Sequence, residues 1–496
     1  MSTVDGVLAA QTKEAFPPLS MDNFDSVHHS SNSGRHHKRQ STNRRQGTTI
    51  GRRINGRGNR PTQHNLQQQQ QHQPLQLFQP QPREQELQQV EQNSEQQAQK
   101  TSTQPEQHMP HDKVAPVRPT VEVARVSADV VLYEMSKHPD CVKTQEWGCQ
   151  SLLDNSQRQG YLQSVRAVGG VSILAKAMRS HPMVYGVQLM AACVLERLCS
   201  GNADGVSEML AADGLDAMVK AMRAFDDHQA LQEVGCKILR NAAACSSEGQ
   251  QKVASAGGIP AALNAMMKHQ HVGAVQELGC RALREMAAYS SSNQEAIVAS
   301  GGIPRVLRAM ELHGELSSIQ VLGCGVLRNL TACNADFQEA VTSRGGLEVV
   351  LAAMQTHADS ADVQRAGCWA LFCTCVHNSE LQNVVEAHGA VKVCLKALQD
   401  HREDAQVQEA GCWVLKELAK QIVNNQTRTT FVSSTQAALK AMDKHRNVVA
   451  VQTAAGGALR SLASHDQSGW VRTACLGRCG RFERSTTKRA LEVIKE

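Results

Sequence analysis

Histidine and cysteine, two side chains that commonly bind metals or act as nucleophiles, recur at a fixed spacing along this 496-residue chain. The histidines form one column about 44 residues apart, with Phe225 in the one remaining place: His138, His181, His269, His313, His357, His401 and His445. Six cysteines form a second column, each directly after a glycine: Cys149, Cys236, Cys280, Cys324, Cys368 and Cys412. Metal ligands must lie within about 2 Å of one ion, whereas neighbours in a column stand a whole repeat apart. The spacing therefore predicts no metal site and no bound cofactor.

Motifs of catalytic sites do not occur in the sequence either. There is no glycine-rich phosphate loop with a lysine after a predicted strand, and no His-Glu-x-x-His motif. Residues 401–404, His-Arg-Glu-Asp, resemble a kinase catalytic loop only in their order, because the histidine belongs to the repeating column. The pairs Cys373 with Cys375 and Cys475 with Cys479 lack further ligands at metal-site spacing. The sequence predicts a protein without enzymatic activity and with no catalytic residues.

A five-residue signature, Gln-x-x-Gly-Cys, positions the cysteine column. It begins at Gln145, Gln232, Gln276, Gln320, Gln364 and Gln408, with degenerate copies that begin at Gln188 and Gln452. A fixed period of about 44 residues is typical of stacked supersecondary units, none of which can bury its apolar face alone. The function is therefore expected to lie in an extended surface rather than in a single pocket.

Each unit contains three predicted helices. In residues 292–334 the first helix ends at a glycine pair, the second has Pro304 in its first turn, and the third places Cys324, Leu327 and Leu330 on one face. The glycine pair supplies the left-handed residue that favours a helix end. The histidine column falls at the end of each second helix, where an imidazole is expected to cap that helix. The pattern predicts an all-α array of about eight units over residues 121–470.

The remainder of the chain differs in composition. Residues 1–120 are predicted to be a disordered arm, since residues 35–60 hold nine Lys or Arg and no acid and residues 64–107 are rich in glutamine. The basic stretch from Arg35 to Arg60 has three interpretations: contact with nucleic acid, a nuclear localisation signal, or a solubilising tail. Residues 471–496 are expected to form an atypical C-terminal cap or tail.

Compartment is predicted from the absence of two sequence features. No stretch is apolar enough for a membrane span, and residues 1–16 lack the pattern of a secretory signal. We therefore expect no membrane partner, and reduced thiols in the cytoplasm, with the nucleus as the alternative.

The unit, with its Gly-Gly break and its Gly-Cys-x-x-Leu-x-x-Leu third helix, resembles the armadillo repeat. Its period and its Ala-Met-x-x-His ending, at Met266–His269, Met310–His313 and Met354–His357, are similar more narrowly to the armadillo domain of the leucine-rich-repeat kinases. The resemblance implies a right-handed superhelical solenoid of about eight armadillo-type repeats. It also implies that the third helices line a groove for extended peptides or partner domains, with no catalytic chemistry in the repeats.

The family register implies that the residues one and five places after the cysteine column face that groove, and the basic residues four places after the column lie next to it. The candidate partner-binding residues are Lys237, Arg240, Asn241, Arg281, Arg284, Arg328, Asn329, Trp369 and Trp413. The cations form either a basic ladder for an acidic segment or a solvated face with local pairs such as Glu277 with Arg281. The two tryptophans are either apolar anchors for a partner or packed side chains. Import receptors of this fold have an asparagine four residues after a tryptophan, and this chain does not, which argues against that function.

The sequence as a whole predicts a non-catalytic scaffold or adaptor that binds a protein, with an acidic or extended segment, along its third helices. The first alternative is a nucleic-acid-associated protein that contacts RNA through residues 35–60. The second is a regulatory subunit of a signalling assembly whose catalytic subunit is another chain.

Overall fold

The computed structural model describes residues 126–332, 334–425, 428–466, 469 and 471. The chain divides into two units, residues 1–122 and 123–496, and all described residues belong to the second. The predicted disordered arm, with its basic and glutamine-rich stretches, lies outside the described residues, as does the predicted C-terminal cap apart from Val471.

The described residues form 23 helices and no strand, which confirms the predicted all-α solenoid. The first repeat contributes two helices and each of the other seven contributes three. Repeats 1 to 4 comprise α1 (Ala128–Lys137) and α2 (Val142–Asn155); α3 (Tyr161–Ala167), α4 (Gly170–Ser180) and α5 (Tyr185–Cys199); α6 (Ala203–Ala211), α7 (Gly214–Ala224) and α8 (Gln229–Cys245); and α9 (Ser247–Ser255), α10 (Gly258–Lys268) and α11 (Gly273–Ala287). Repeats 5 to 8 comprise α12 (Ser291–Ala299), α13 (Gly302–Leu312) and α14 (Ser317–Thr331); α15 (Ala335–Thr342), α16 (Gly346–Thr356) and α17 (Ala361–Cys375); α18 (Ser379–Ala387), α19 (Ala390–Asp400) and α20 (Ala405–Glu417); and α21 (Ala419–Asn425), α22 (Arg428–Lys444) and α23 (Val449–His465). None of these helices is both long enough and apolar enough to cross a membrane.

Local sequence explains where the first helices begin and end. Most of them begin after an asparagine or serine whose side chain accepts a hydrogen bond from a backbone N–H three residues later, as Asn334 does from Phe337 at 3.0 Å. They end at the predicted glycine pair, whose first member is left-handed, with a φ of +78° at Gly301 and +79° at Gly345. Repeat 3 has Asp213 at the corresponding place, with a φ of +53°.

Each third helix packs closely on the second helix of its own repeat. In the six repeats that have the signature glycine, this residue leaves room for the second helix, because a Cβ atom added at Gly279 would overlap Cγ of Met266. The cysteine that follows the glycine is fully buried, as Cys280 and Cys324 illustrate. Burial raises the pKa of the Cys280 thiol to about 12. These thiols therefore act as small apolar core groups and stay protonated at neutral pH.

The signature glutamine, to which the sequence pattern alone assigns no role, caps the second helix. Nε2 of Gln276 donates to the backbone oxygens of Met266 at 3.0 Å and His269 at 2.9 Å. All eight repeats have this pair of bonds, including repeats 2 and 8, in which the rest of the signature is degenerate. The glutamine thereby satisfies the Met266 carbonyl at the buried helix end and gives the His269 carbonyl a second donor besides the backbone N–H of Val272.

The histidine column connects successive repeats. Nε2 of His313 donates to the backbone oxygen of Gln270, in the preceding repeat, at 2.9 Å, and His357 contacts Gly314 at 2.7 Å in the same way. Carbonyl oxygens only accept hydrogen bonds, so the proton must reside on Nε2. We expected the imidazole to cap the helix that it closes. That expectation was wrong, because the ring instead bonds the turn after the second helix of the preceding repeat.

Candidate partner-binding surface

The third helices α2, α5, α8, α11, α14, α17, α20 and α23 lie side by side, each packed against the next. We define the third-helix surface as the side chains one, four and five places after the cysteine column in these helices. All nine candidate residues belong to it. Most are half-buried, while Asn241 and Trp369 are buried.

Repeat 3 contributes two cations to the surface, Lys237 and Arg240, of which Arg240 is hydrogen-bonded to a neighbouring side chain. Lys237 is half-buried and forms no ion pair within the described part of the chain. Arg240 donates from Nη1 to Oδ1 of Asn241 at 3.2 Å. Asn241 itself is only 6% exposed, so most of its side chain lies between the helices rather than at the surface.

In repeat 4 the two arginines are paired with carboxylates of the same helix. Nη2 of Arg281 lies 3.2 Å from Oε1 of Glu277, which is the i, i+4 pair that the sequence suggested. Arg284 donates from Nε and Nη2 to Oε1 of Glu285, at 3.1 and 2.6 Å. An acidic partner would have to compete with these intrahelical pairs at both arginines.

The position five places after the cysteine column contributes to stacking. Nδ2 of Asn329 donates to the backbone oxygen of Arg284, in the preceding third helix, at 3.0 Å. Arg197 has the same relation to Leu153, with Nη1 lying 3.4 Å from the carbonyl oxygen. One N–H of Asn329 is thus already used within the solenoid.

An aromatic cluster with cations at both ends crosses repeats 5 to 7. The Arg328 guanidinium lies 5.4 Å from the centre of the Trp369 ring, and Nζ of Lys416 lies 4.3 Å from the centre of the Trp413 ring. The Phe372 ring lies between the two tryptophans, 5.8 Å from each. Because Trp369 is 7% exposed, it is largely a packed side chain, whereas Trp413 is half-buried and presents more of its ring.

Water is partly excluded from the region around Trp413. Burial raises the pKa of the Glu409 carboxyl, although a hydrogen bond from Trp413 and the charge of Arg328 oppose this shift. Burial likewise lowers the pKa of the Lys416 ammonium. Charges that are already incompletely hydrated lose less hydration when a partner covers them.

Within the described ranges, no group of three His, Cys, Asp or Glu side chains could hold a metal ion. Sequence reasoning did not assign a role to Glu285 or Phe372. Phe372 follows Trp369 by three residues, a spacing that signals contact on a helix, but the pairing of Glu285 with the adjacent Arg284 follows no helical spacing rule.

Comparison with known proteins agrees with this architecture. The family model described as the LRRK2 ARM repeat matches residues 211–468, which is more than half of the chain. The chain therefore belongs to this family of armadillo-repeat proteins. Among curated proteins, none matches the sequence significantly.

Three solved structures match this chain at low sequence identity, and the one with a TM-score above 0.5 shares its fold. The structure of an engineered protein is 22% identical, with a TM-score of 0.60 and coverage of 74% of this chain and 89% of that chain. A structure from work on the interaction between cadherin and β-catenin is 15% identical, with a TM-score of 0.44 and coverage of 74% and 85%. A computationally designed armadillo-repeat protein for modular peptide recognition is 17% identical, with a TM-score of 0.44 and coverage of 50% and 99%. At these identities the likeness concerns the fold alone.

Proposed function

We propose that this protein is a non-catalytic scaffold that binds an extended, acidic segment of a partner protein across the third-helix surface of repeats 3 to 7. The observation that carries the proposal is a row of side chains suited to such a segment. Lys237 has no ion pair among the described residues, Arg328 contacts an aromatic face, and Trp413 with Lys416 continues the row. Membership of the armadillo-repeat family supports a role in protein binding.

The dimensions of the surface define the length of the segment. Adjacent packed helices lie about 10 Å apart, so the row from repeat 3 to repeat 7 extends over roughly 40 Å. An extended chain rises about 3.3 Å per residue, so about 12 residues would span it. Carboxylates near the two ends of such a segment would meet Lys237 and Lys416.

We expect Arg281 and Arg284 to contribute less to binding of an acidic segment than the basic ladder in the sequence suggested. Their carboxylate partners, Glu277 and Glu285, already offset their charge. Partly exposed pairs of this kind stabilise a protein by about 0 to 1 kcal/mol, so a partner carboxylate can displace them but obtains little net stabilisation. Lys237 and Arg328 are therefore the cations on which binding is expected to depend most.

We place the protein in the cytoplasm and assign no reaction to the repeats. No observation on the described residues favours nucleic-acid binding through residues 35–60 or a regulatory role in a signalling assembly, and both remain predictions from the sequence.

The test uses the full chain, immobilised and exposed to a nuclease-treated extract, with captured proteins quantified by mass spectrometry. The variant combines Lys237→Glu with Arg328→Gln. The matched control combines Lys176→Glu with Lys392→Gln, which changes the charge equally at two exposed lysines on the second helices α4 and α19. Circular dichroism checks that all three proteins have the same helicity.

We expect the wild type and the control to capture the same proteins and the third-helix variant to lose them. Equal capture by the variant would contradict the role of Lys237 and Arg328. Loss of wild-type capture on nuclease treatment would instead favour the nucleic-acid alternative.

A further inference from the structure

A polar cleft of about 250 Å³ lies between repeats 1 and 2. It does not include the row from Lys237 to Lys416 in repeats 3 to 7. Three arginines from three different elements line it: Arg158 from the turn after α2, Arg166 from α3 and Arg197 from α5. The lining also includes the polar side chains of Ser156, Gln163, Ser200 and Asn202, and the apolar side chains of Leu162 and Leu198. The cleft is therefore rich in hydrogen-bond donors.

Two of these arginines have most of their N–H groups unused. Arg197 donates from Nη1 to the backbone oxygen of Leu153 and to Oγ of Ser156. Arg158 donates from Nη1 to Oδ1 of Asn155 at 2.9 Å. A guanidinium has five N–H donors, so three on Arg197 and four on Arg158 remain without a protein acceptor among the residues described.

The charge of the cleft is positive. Arg158 and Arg197 contact only neutral groups, and neither forms an ion pair within the described ranges. Arg166 alone is ion-paired, with Nη2 lying 2.7 Å from Oε1 of Glu208 and 3.7 Å from Oδ2 of Asp204. Its remaining nitrogen, Nη1, has no contact with that carboxylate. The guanidinium groups of Arg158 and Arg197 are therefore available to bind an anion.

The place of Arg197 in the repeat distinguishes this cleft from the rest of the array. It occupies the position five after the cysteine column, where repeats 3, 4 and 5 have Asn241, Glu285 and Asn329. Asn329 uses this position to bond the preceding third helix through a short amide. Arg197 makes the same bond with one nitrogen and retains additional donors beyond it.

Planar arginine forks with nearby hydroxyl groups suit a phosphate group, which accepts several charge-assisted hydrogen bonds. Small-molecule sites usually have volumes of about 300 to 1,000 Å³, so the cleft suits a single phosphate group better than a nucleotide. Because Arg197 also belongs to the third-helix surface, a segment bound along that surface can reach the cleft.

We propose that the Arg158–Arg166–Arg197 cleft binds a phosphorylated side chain of a protein segment that continues beyond the third-helix row. This inference rests on the proposed scaffold function for the identity of the carrier. The phosphate site itself is tested independently of that function.

The test titrates the full-length protein with three probes: N-acetyl-O-phosphoserine methylamide, its unphosphorylated counterpart, and inorganic phosphate. Ligand-detected nuclear magnetic resonance gives the affinities. The variants are Arg158→Gln alone, at an exposed residue whose contacts are Oδ1 of Asn155 and the ring of Tyr161, and Arg158→Gln with Arg197→Gln. The matched control is Arg179→Gln with Arg344→Gln, two arginines that each donate to a backbone oxygen outside the cleft.

We expect the phosphoserine probe to bind more tightly than inorganic phosphate and the unphosphorylated probe not to bind. Each arginine removed should weaken phosphoserine binding by about tenfold or more, because a hydrogen bond to a charged group is lost, and the control should bind like the wild type. No binding, or equal binding by Arg158→Gln and the wild type, would overturn the site. Equal affinity for inorganic phosphate would overturn the phosphoprotein assignment. Either failure can occur while capture through Lys237 and Arg328 persists, so the two proposals fail separately.

Discussion

Replacement of the signature glutamine of repeat 4 by methionine, Gln276→Met, should destabilise the solenoid although it conserves side-chain volume. Gln276 is 1% exposed and donates to the backbone oxygens of Met266 and His269. The His269 oxygen also accepts a hydrogen bond from the backbone N–H of Val272 at 2.9 Å, so it retains a partner in the variant. The Met266 oxygen belongs to the last turn of α10 and would be left without its side-chain donor.

One buried carbonyl without a hydrogen bond costs about 1 to 3 kcal/mol. We therefore expect the free energy of unfolding to fall by about 2 kcal/mol. Methionine avoids the cavity that alanine would create, which isolates the hydrogen-bond contribution from loss of packing.

Urea unfolding followed by circular dichroism measures the change, and hydrogen exchange locates it. Exchange should become faster in α10 and α11 and in the adjacent repeats, because a repeat array is stabilised mainly by contacts between neighbours. The control is Gln229→Met, at an exposed residue whose side chain bonds the half-buried side chain of Glu233. A Gln276→Met variant as stable as Gln229→Met would refute the capping role of the signature glutamine.

Three further predictions follow from packing and burial. Trp369→Ala should lower the free energy of unfolding by about 3 to 5 kcal/mol, as expected for a packed aromatic residue, and Trp413→Ala should lower it by clearly less. Equal decreases in the free energy of unfolding, measured by chemical denaturation, would contradict the difference in burial between the two tryptophans. Gly279→Val should lower the free energy of unfolding by about 1 to 3 kcal/mol, because its side chain overlaps Met266. The double variant Gly279→Val with Met266→Ala should be less destabilised than the sum of the two single variants. A double variant as unstable as that sum would exclude this contact as the cause. Since burial raises the pKa of the Cys280 thiol to about 12, the unfolded state loses this proton at lower pH than the folded state, so the free energy of unfolding should fall as pH rises from about 9 towards 12. Cys280→Ala should reduce that slope, and an unchanged slope in pH-dependent denaturation would argue against a shifted thiol.

The register positions of the candidate residues followed from the sequence, but only part of their pairing did. The register after the cysteine column located Arg281 and Arg284, and the i, i+4 rule found the partner of Arg281. It did not find Glu285 as the partner of Arg284, because neighbours in a helix point in different directions and meet only in particular rotamers. The sequence also left open whether Trp369 is exposed, because its exposure depends on packing against Phe372 and the adjacent third helices.

The sequence by itself determined the period, the three helices of each repeat, the glycine at the first break and the buried face of the third helix. These features depend on interactions within a few residues, where helical geometry fixes which side chains share a face. Only the tertiary structure decided that His313 bonds Gln270, that Asn329 bonds the Arg284 backbone, and that three arginines from separate elements meet in one cleft. Such contacts join separate elements of the solenoid, and their existence depends on the distance and rotation between stacked helices, which periodicity in one chain does not specify.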